Sequence, residues 1–387
     1  MNHIPENNNW REVDAKVYLD IDEGVLIGRL ETQASLNKYE YAFYLLLDGK
    51  RVETHWYSDE PFVRFRAHPS VGLYRAVGFV KRCCDAQVKM FVSVPLRRVA
   101  QRAGDNIISS AVVRTGNIAN VPLLLLNATR LRLDLTVPNL PFVYQCLLIR
   151  KPGDKIFVIL GGGVPDRAHI TLPRFSRATW AADFPGTVLY IADPTLLLGE
   201  TLRLGWYFGA IHADATEGLA AVINAIANAL SFETKQVVTY GSSGGGFAAI
   251  QVVTRLGNGA TGIAINAQTA ILDFGQKDSV QEFLTVCTRG MAAPSAQVAC
   301  PDRLRLVDAM ERPSSASGRF LFVQNIQDHH HYRDHLKPLV SYLGVAIPSI
   351  CGRIGIMLYD FPNGHGAEPR SMVPQILNEI EKLHVVV

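Results

Sequence analysis

Ser243 stands in Gly241-Ser242-Ser243-Gly244-Gly245, a G-x-S-x-G stretch preceded by the apolar run 236–240 and followed by the small-residue segment 245–256. That succession predicts a buried strand, a glycine-crowded turn and a helix, with the Ser243 hydroxyl raised above the strand end where no neighbouring Cβ obstructs it. A serine hydroxyl attacks a carbonyl only when a base takes its proton and a third group holds that base in place. The next backbone amide, at Gly244, would face the oxyanion as it develops. A glycine-rich turn could equally cradle phosphate or be a tight turn and nothing more, so the deciding residues lie further along the chain.

Two later segments supply partners. Asp328 follows the apolar run 319–323, and His365, in Gly364-His365-Gly366, follows the run 354–359. If these runs are strands of the same parallel sheet, both segments leave the edge from which Ser243 projects, in the order Ser, Asp, His. A histidine between two glycines is poorly explained as a core residue. Asp334 and Asp360 remain alternative acids, although Asp360 is placed to end its strand or cap a turn. The run His329-His330-His331, with His335 beyond it, could suggest a metal, but the spacing is not H-E-x-x-H and no metal site is expected.

The elements that must position these residues follow from periodicity. The runs 156–160, 187–191, 236–240, 261–265, 319–323 and 354–359 are continuously apolar and separated by helix-length segments. Continuous apolarity means both sheet faces are covered, the pattern of a parallel α/β sheet. Helices are predicted over 217–231, 245–256 and 279–289, with a terminal helix presenting Ile376, Leu377, Ile380 and Leu383. Residues 131–137 and 142–149 read as two antiparallel strands at one edge. Residues 1–96 differ: short strand-like runs, a strong Asp48-Gly49 hairpin signal and many aromatics predict an antiparallel β-sandwich of immunoglobulin-like type. Its aromatics Tyr41, Phe43, Trp56, Tyr57, Phe65, Tyr74 and Phe79 read as core, with a sugar-stacking face as the alternative. Residues 97–125 read as a linker and 126–387 as the α/β domain.

Composition narrows the function classes. The 387 residues carry a formal net charge of +3 with no concentrated basic run, which gives no electrostatic case for nucleic acid. Six scattered cysteines without C-x-x-C spacing argue against a disulfide framework or zinc ribbon. The first residues lack a basic start and an apolar core, and no apolar run spans a bilayer, so a cytoplasmic location without a transmembrane segment is expected.

Taken together, the elbow-like turn, the Ser-Asp-His order, the two leading antiparallel strands and the parallel runs resemble the α/β-hydrolase superfamily over about 131–387. The resemblance implies Ser243 as nucleophile, His365 as general base and Asp328 as its orienting acid. It also implies an oxyanion hole from the Gly244 amide and a donor in Gly161-Gly162-Gly163-Val164, either Gly162 or Gly163. That loop is similar to the HGGG-type loop of esterases without its leading histidine. Gly205-Trp206-Tyr207, Asp193-Pro194-Thr195, Asn266-Ala267-Gln268-Thr269 and 325–331, with the aromatic β-domain, look similar to hydrolase-fold carbohydrate O-acetyltransferases of bacterial capsule and accessory-secretion clusters. In that group the serine would carry acetyl to a sugar hydroxyl.

The expected function is therefore serine-dependent acyl transfer on O-acyl esters, as O-acetyl transfer to or removal from a surface carbohydrate. A general esterase or peptidase and a non-catalytic carbohydrate-binding protein are the rivals. Arg174, Arg177, Trp206 and Tyr207 are candidate substrate contacts on a pocket wall. No bound cofactor is expected, acetyl-CoA is a candidate acyl donor, and a homo-oligomer stays open.

Overall fold

The computed structural model describes residues 15–22, 25–32, 39–66, 72–93, 95–98, 112–125, 129–165, 167 and 170–384. The chain divides into two compact units, Met1–Gly116 and Asn117–Val387.

In the first unit, strands Ala15–Asp22, Val25–Thr32 and Phe62–Arg64 form one antiparallel sheet. Lys50–Ser58, Tyr39–Leu47 and Gly72–Arg82 form the other, and the free edge of Gly72–Arg82 is paired first with Leu96–Arg98 and then with Val88–Val92. First, second and fifth strands on one sheet, with fourth, third, sixth and seventh on the other, is the strand distribution of an immunoglobulin-like sandwich. Alternation along the strands sends Tyr41, Phe43 and Leu45 inward with Tyr74, Ala76 and Val80, onto Val17, Leu19, Leu26, Leu30 and Phe65. The Asp48-Gly49 hairpin forms as its residues require, both with positive φ, at 50° and 79°. Tyr41, Phe43, Phe65 and Tyr74 are core, whereas Trp56 is 70% exposed. The segment 97–125, expected as a linker, is ordered at both described ends: Leu96–Arg98 pairs with Val112–Asn117 as strands of this unit. Residues 99–111 lie outside the described residues.

The second unit is built on one mostly parallel sheet. Its strands are β1 (Arg130–Thr136), β2 (Val143–Ile149), β3 (Ile156–Leu160), β4 (Thr187–Ile191), β5 (Val237–Ser242), β6 (Thr261–Ile265), β7 (Arg319–Asn325), β8 (Ser349–Cys351) and β9 (Ile354–Tyr359). Their spatial order is β1-β2-β4-β3-β5-β6-β7-β9-β8. β1 and β2 pair antiparallel, β2 pairs antiparallel with β4, and the sheet is parallel from β4 to β9. The exchange of β3 and β4 after two antiparallel strands gives the sheet order of an α/β-hydrolase.

Every residue of β3, β4 and β6 is buried, as the continuous apolar runs require. The helix Ala215–Ala229 starts on Asp214, whose carboxylate accepts from the Thr216 and Glu217 amides. The helix Gly244–Leu256 is buried on nearly all sides and stops at Gly257, φ 57°. β5 and β7 each run two residues beyond the apolar runs 236–240 and 319–323, and the added Gly241-Ser242 and Gln324-Asn325 carry the chain into the site. β8 was not legible: three residues are too few for a periodic signal. Among the described residues no helix is long and apolar enough to cross a membrane.

Candidate active site

The turn after β5 is forced by close backbone approach. A Cβ on Gly241 would stand 2.2 Å from the Gly245 carbonyl oxygen, and one on Gly245 would stand 2.4 Å from that of Leu160, so neither position tolerates a side chain. Between them Ser243 takes φ 53° and ψ −127°, a strained geometry that only a fixed surrounding maintains. Its amide donates to the Ile265 carbonyl at 2.9 Å, tying the turn to the neighbouring strand.

The three residues expected to act together converge. Ser243 Oγ lies 3.3 Å from His365 Nε2, and His365 Nδ1 lies 2.6 Å from Asp328 Oδ2. The alternative acids lie elsewhere: Asp334 is bonded to His330 and Arg333, and Asp360 accepts from Gln327. Burial would raise the Asp328 carboxyl, but hydrogen bonds from His331 and His365 outweigh it and hold the group well below the usual carboxylate range.

His331, read from the sequence only as part of the His329-His330-His331 run, completes the setting of Asp328. Its Nδ1 lies 2.9 Å from Asp328 Oδ1, and its ring stacks on that of His365. Burial is the main cause that lowers its pKa, against the opposing pull of Asp328. His331 Nε2 meets Gln268 Nε2 at 2.7 Å, and the same amide nitrogen donates to Ser243 Oγ at 3.0 Å. Asp328, His331 and His365 also bring potential metal-ligand atoms within 4.8 Å of one another. Here both Nδ1 atoms are engaged with the carboxylate.

Two buried asparagines hold the His365 loop. Asn325, the last residue of β7, donates to the Phe361 and Gly364 carbonyls at 2.8 and 2.9 Å. Asn266, just after β6, donates to Gly366 O at 3.0 Å and to the Tyr359 hydroxyl at 2.7 Å. Sequence offers one signal for such residues: polar side chains placed immediately beyond buried parallel strands.

The 161–164 loop lies over the elbow at Gly162. A Cβ there would stand 2.9 Å from the Ser242 carbonyl oxygen and 3.5 Å from Ser243 Cβ, whereas one on Gly163 would face Arg203 and Leu204. The Gly161 amide donates to the Tyr207 hydroxyl at 2.9 Å and the Val164 amide to Arg203 O at 2.7 Å. Among the described residues the Gly162 and Gly163 amides have no partner, and Gly244 opens the elbow helix.

Trp206 and Tyr207 do not contact substrate space, contrary to expectation. They are 1% and 0% exposed, and both adopt left-handed backbone, φ 51° and 57°. Asp193, whose carboxyl burial pushes up to about 6, accepts from the Tyr207 amide at 3.0 Å and from the Thr195 amide at 2.8 Å. The strained pair thereby delivers the Trp206 indole to Gln268 and the Tyr207 hydroxyl to the Gly161 loop.

Ser243 and His365 open onto a cavity of about 530 Å³, in the range of small-ligand sites. Gly162, Gly163, Arg174, Arg177, Trp180 and Arg203 are among its walls. Arg177 is already committed: its guanidinium bonds bidentately to Glu368, at 2.9 and 2.5 Å, and donates to Ser242 Oγ at 2.9 Å. Tyr240 donates to the same carboxylate at 2.5 Å. Burial alone would lower the Arg177 pKa, and the charge of Glu368 reverses the sign.

No protein-family model matches the sequence, and no curated protein matches it. Solved structures are similar. A capsule O-acetyltransferase of Neisseria meningitidis serogroup A is 16% identical over 62% of this chain and 94% of its own, TM-score 0.44. An acetyl xylan esterase from Paenibacillus sp. R4 is 15% identical over 62% of this chain and 80% of its own, TM-score 0.41. A post-proline cleaving enzyme from Rickettsia typhi is 12% identical over 94% of this chain, which spans 56% of that enzyme, TM-score 0.47. The assignment of the second unit to the α/β-hydrolase fold rests on its own strand order and elbow.

Proposed function

We propose that the second unit is a serine-dependent acyl-transfer enzyme acting on O-acyl esters. The observation that carries this reading is the convergence of Ser243, His365 and Asp328 at a cavity wall, at 3.3 and 2.6 Å. Ser243 Oγ bonds to the acyl carbon as its proton passes to His365 Nε2, while Asp328 keeps the other ring nitrogen protonated. The Gly244 amide and the amide of Gly162 or Gly163 receive the oxyanion. The carbonyl re-forms, the donor's alkoxide, or thiolate where the donor is acetyl-CoA, leaves with the proton from His365, and the acyl group stays on Ser243. Water or a second hydroxyl then attacks the acyl carbon as its proton passes to His365, and His365 hands that proton to Ser243 Oγ as the acyl–serine bond breaks.

We favour O-acetyl transfer to or removal from a bacterial surface carbohydrate, on the resemblance of 193–195, 205–207, 266–269 and 325–331 to carbohydrate O-acetyltransferases. The test compares the wild type with Ser243→Ala on p-nitrophenyl acetate, then incubates the wild type with acetyl-CoA and oligosaccharides under mass spectrometry. Loss of turnover in the variant and an acetylated sugar are expected. Equal turnover by both proteins removes Ser243 from the mechanism; acetate release with no acetylated acceptor leaves a hydrolase.

A further inference from the structure

A single donor fixes the sense of the hydrogen bonds made by the Gln268 amide; the Ser243 hydroxyl has His365 Nε2 at 3.3 Å and the Gln268 oxygen further off, at 3.5 Å. The Trp206 indole nitrogen can only donate, so the Gln268 oxygen 3.1 Å away is its acceptor. The Gln268 nitrogen therefore faces Ser243 Oγ at 3.0 Å and His331 Nε2 at 2.7 Å. An amide nitrogen has two hydrogens and accepts nothing. His331 Nε2 must then be the acceptor, its proton lies on Nδ1, and that proton is donated to Asp328 at 2.9 Å. On the other side Ser243 Oγ donates to His365 Nε2, and His365 Nδ1 to Asp328. Each donor meets an acceptor, and Asp328 reaches Ser243 Oγ along two arms that close a ring.

We propose that Gln268 and His331 are positioning residues for the reaction at Ser243: they form a second arm from Asp328 that aims the serine hydroxyl and leaves His365 as the only proton acceptor. The inference rests on the nucleophile reading of Ser243. Gln268 is 0% and His331 2% exposed, so water does not substitute for either partner. Protonating His331 would set an N–H of its Nε2 against the N–H of Gln268, whereas His365 Nε2 faces only the hydroxyl it must deprotonate. The Gln268 N–H already on Oγ blocks one lone pair, directs the O–H toward His365, and meets the charge that builds on Oγ. It meets that charge again when the acyl-enzyme breaks and Oγ is the leaving atom. The neutral His331 ring, parallel to His365, receives the transient imidazolium without adding like charge.

Four variants disturb the arm at different joints. Gln268→Leu removes the amide. His331→Asn retains an N–H for Asp328 but reaches no further; His331→Gln retains an acceptor for Gln268 but releases Asp328. Trp206→Phe keeps the ring packing and frees the Gln268 amide to turn, which covers any variant that fails to fold. Readouts are kcat and KM on p-nitrophenyl acetate and the rate at which a fluorophosphonate labels Ser243, with urea midpoints as the folding control. Each variant should lose roughly 10- to 100-fold in kcat and labelling rate while KM stays within about twofold. The Gln268→Leu/His331→Gln double variant should be no slower than the worse single, since one arm is cut only once. Folded variants that turn over and label at the wild-type rate, or losses that multiply in the double variant, would overturn the arm. A wild type that neither labels nor turns over fails the nucleophile reading itself, and the inference with it.

Discussion

The imidazoles of His331 and His365 lie face to face, centroids 4.0 Å apart and planes within 7°, with one carboxylate, Asp328, bonded to both. One charge therefore orients two rings of different fate. His365 has its far nitrogen at Ser243, and its side chain is 35% exposed. His331 is enclosed and has its far nitrogen on an amide. Proximity to the acid does not distinguish the base; what lies at each Nε2 does.

Asp328→Asn is expected to leave the fold in place and reduce kcat by on the order of 10³–10⁴-fold, because an amide at this position can present N–H to His365 and stabilise the wrong tautomer. Asp334→Asn and Asp360→Asn, which touch neither ring of the stacked pair, should stay within about threefold of wild type. Steady-state kinetics on p-nitrophenyl acetate decide it, and a large loss in either of the latter would displace Asp328 from its role.

Gly162→Ala introduces a Cβ 2.9 Å from a backbone oxygen that cannot swing away, so the loop must shift off the elbow. Displacing one oxyanion donor predicts a kcat lower by on the order of 10²-fold, with substrate binding less affected. Gly163→Ala meets its nearest atom at an ordinary 3.5 Å and should be mild. The reverse ranking would make Gly163 the donor.

Glu368→Gln leaves the Arg177 guanidinium, whose side chain is 5% exposed, without its counter-charge. Breaking a buried pair from one side costs about 3–5 kcal/mol, whereas replacing both partners by apolar residues recovers much of it. Urea unfolding should show a large loss for Glu368→Gln and a smaller one for Arg177→Met/Glu368→Leu. If the double variant is the less stable protein, the charges hold the loop together through more than their mutual pairing.

How much of this was legible in the sequence differs by element. β3, β4 and β6 match their runs end to end, since burial on both faces favours apolar residues along the whole strand; β9 matches its run too, although only Gly355 and Ile356 in it are fully buried. Ser243, Asp328 and His365 were readable because each follows such a run within a few residues. Gln268 and His331 were not, because their roles depend on a tautomer set by Trp206, distant in sequence and held by left-handed backbone at 206–207. Trp206 and Tyr207 were misplaced for the same reason: an aromatic pair between strands reads alike whether it faces a cavity or braces the wall behind it.

His335 gives the acid stability a sign. Burial, with the neighbouring His331 and His330, pushes its pKa down from 6.5 to about 3. Between those values the unfolded chain binds a proton that the folded chain refuses, so stability falls as pH falls from 6.5 toward 3. His331 adds in the same direction, while the Asp193 carboxyl, raised from 3.8 to about 6, opposes it between those two values. His335→Asn retains an acceptor for the Thr269 amide and does not titrate. Unfolding free energy followed across this window should lose up to about one proton's worth of slope in the variant; an unchanged slope would place the acid sensitivity elsewhere.

Substrate charge is the property the cavity constrains most. Arg174, Arg177 and Arg203 line it, and among the described residues no carboxylate does. Arg177 is neutralised by Glu368, and Arg203 stands 3.6 Å from Glu282 at the rim. Arg174, exposed at the same cavity, has no ion pair among the described residues. An ester carrying a carboxylate or phosphate should therefore be drawn in where a neutral one gains nothing, and the attraction should weaken with salt as partly exposed charges are screened. For Arg174→Gln, KM toward an anionic acetyl ester should rise roughly three- to tenfold at low salt, with kcat unchanged and neutral p-nitrophenyl acetate unaffected. Measuring both esters at low and high ionic strength separates the outcomes: a parallel loss on the neutral ester would mean that Arg174 shapes the cavity rather than reads charge.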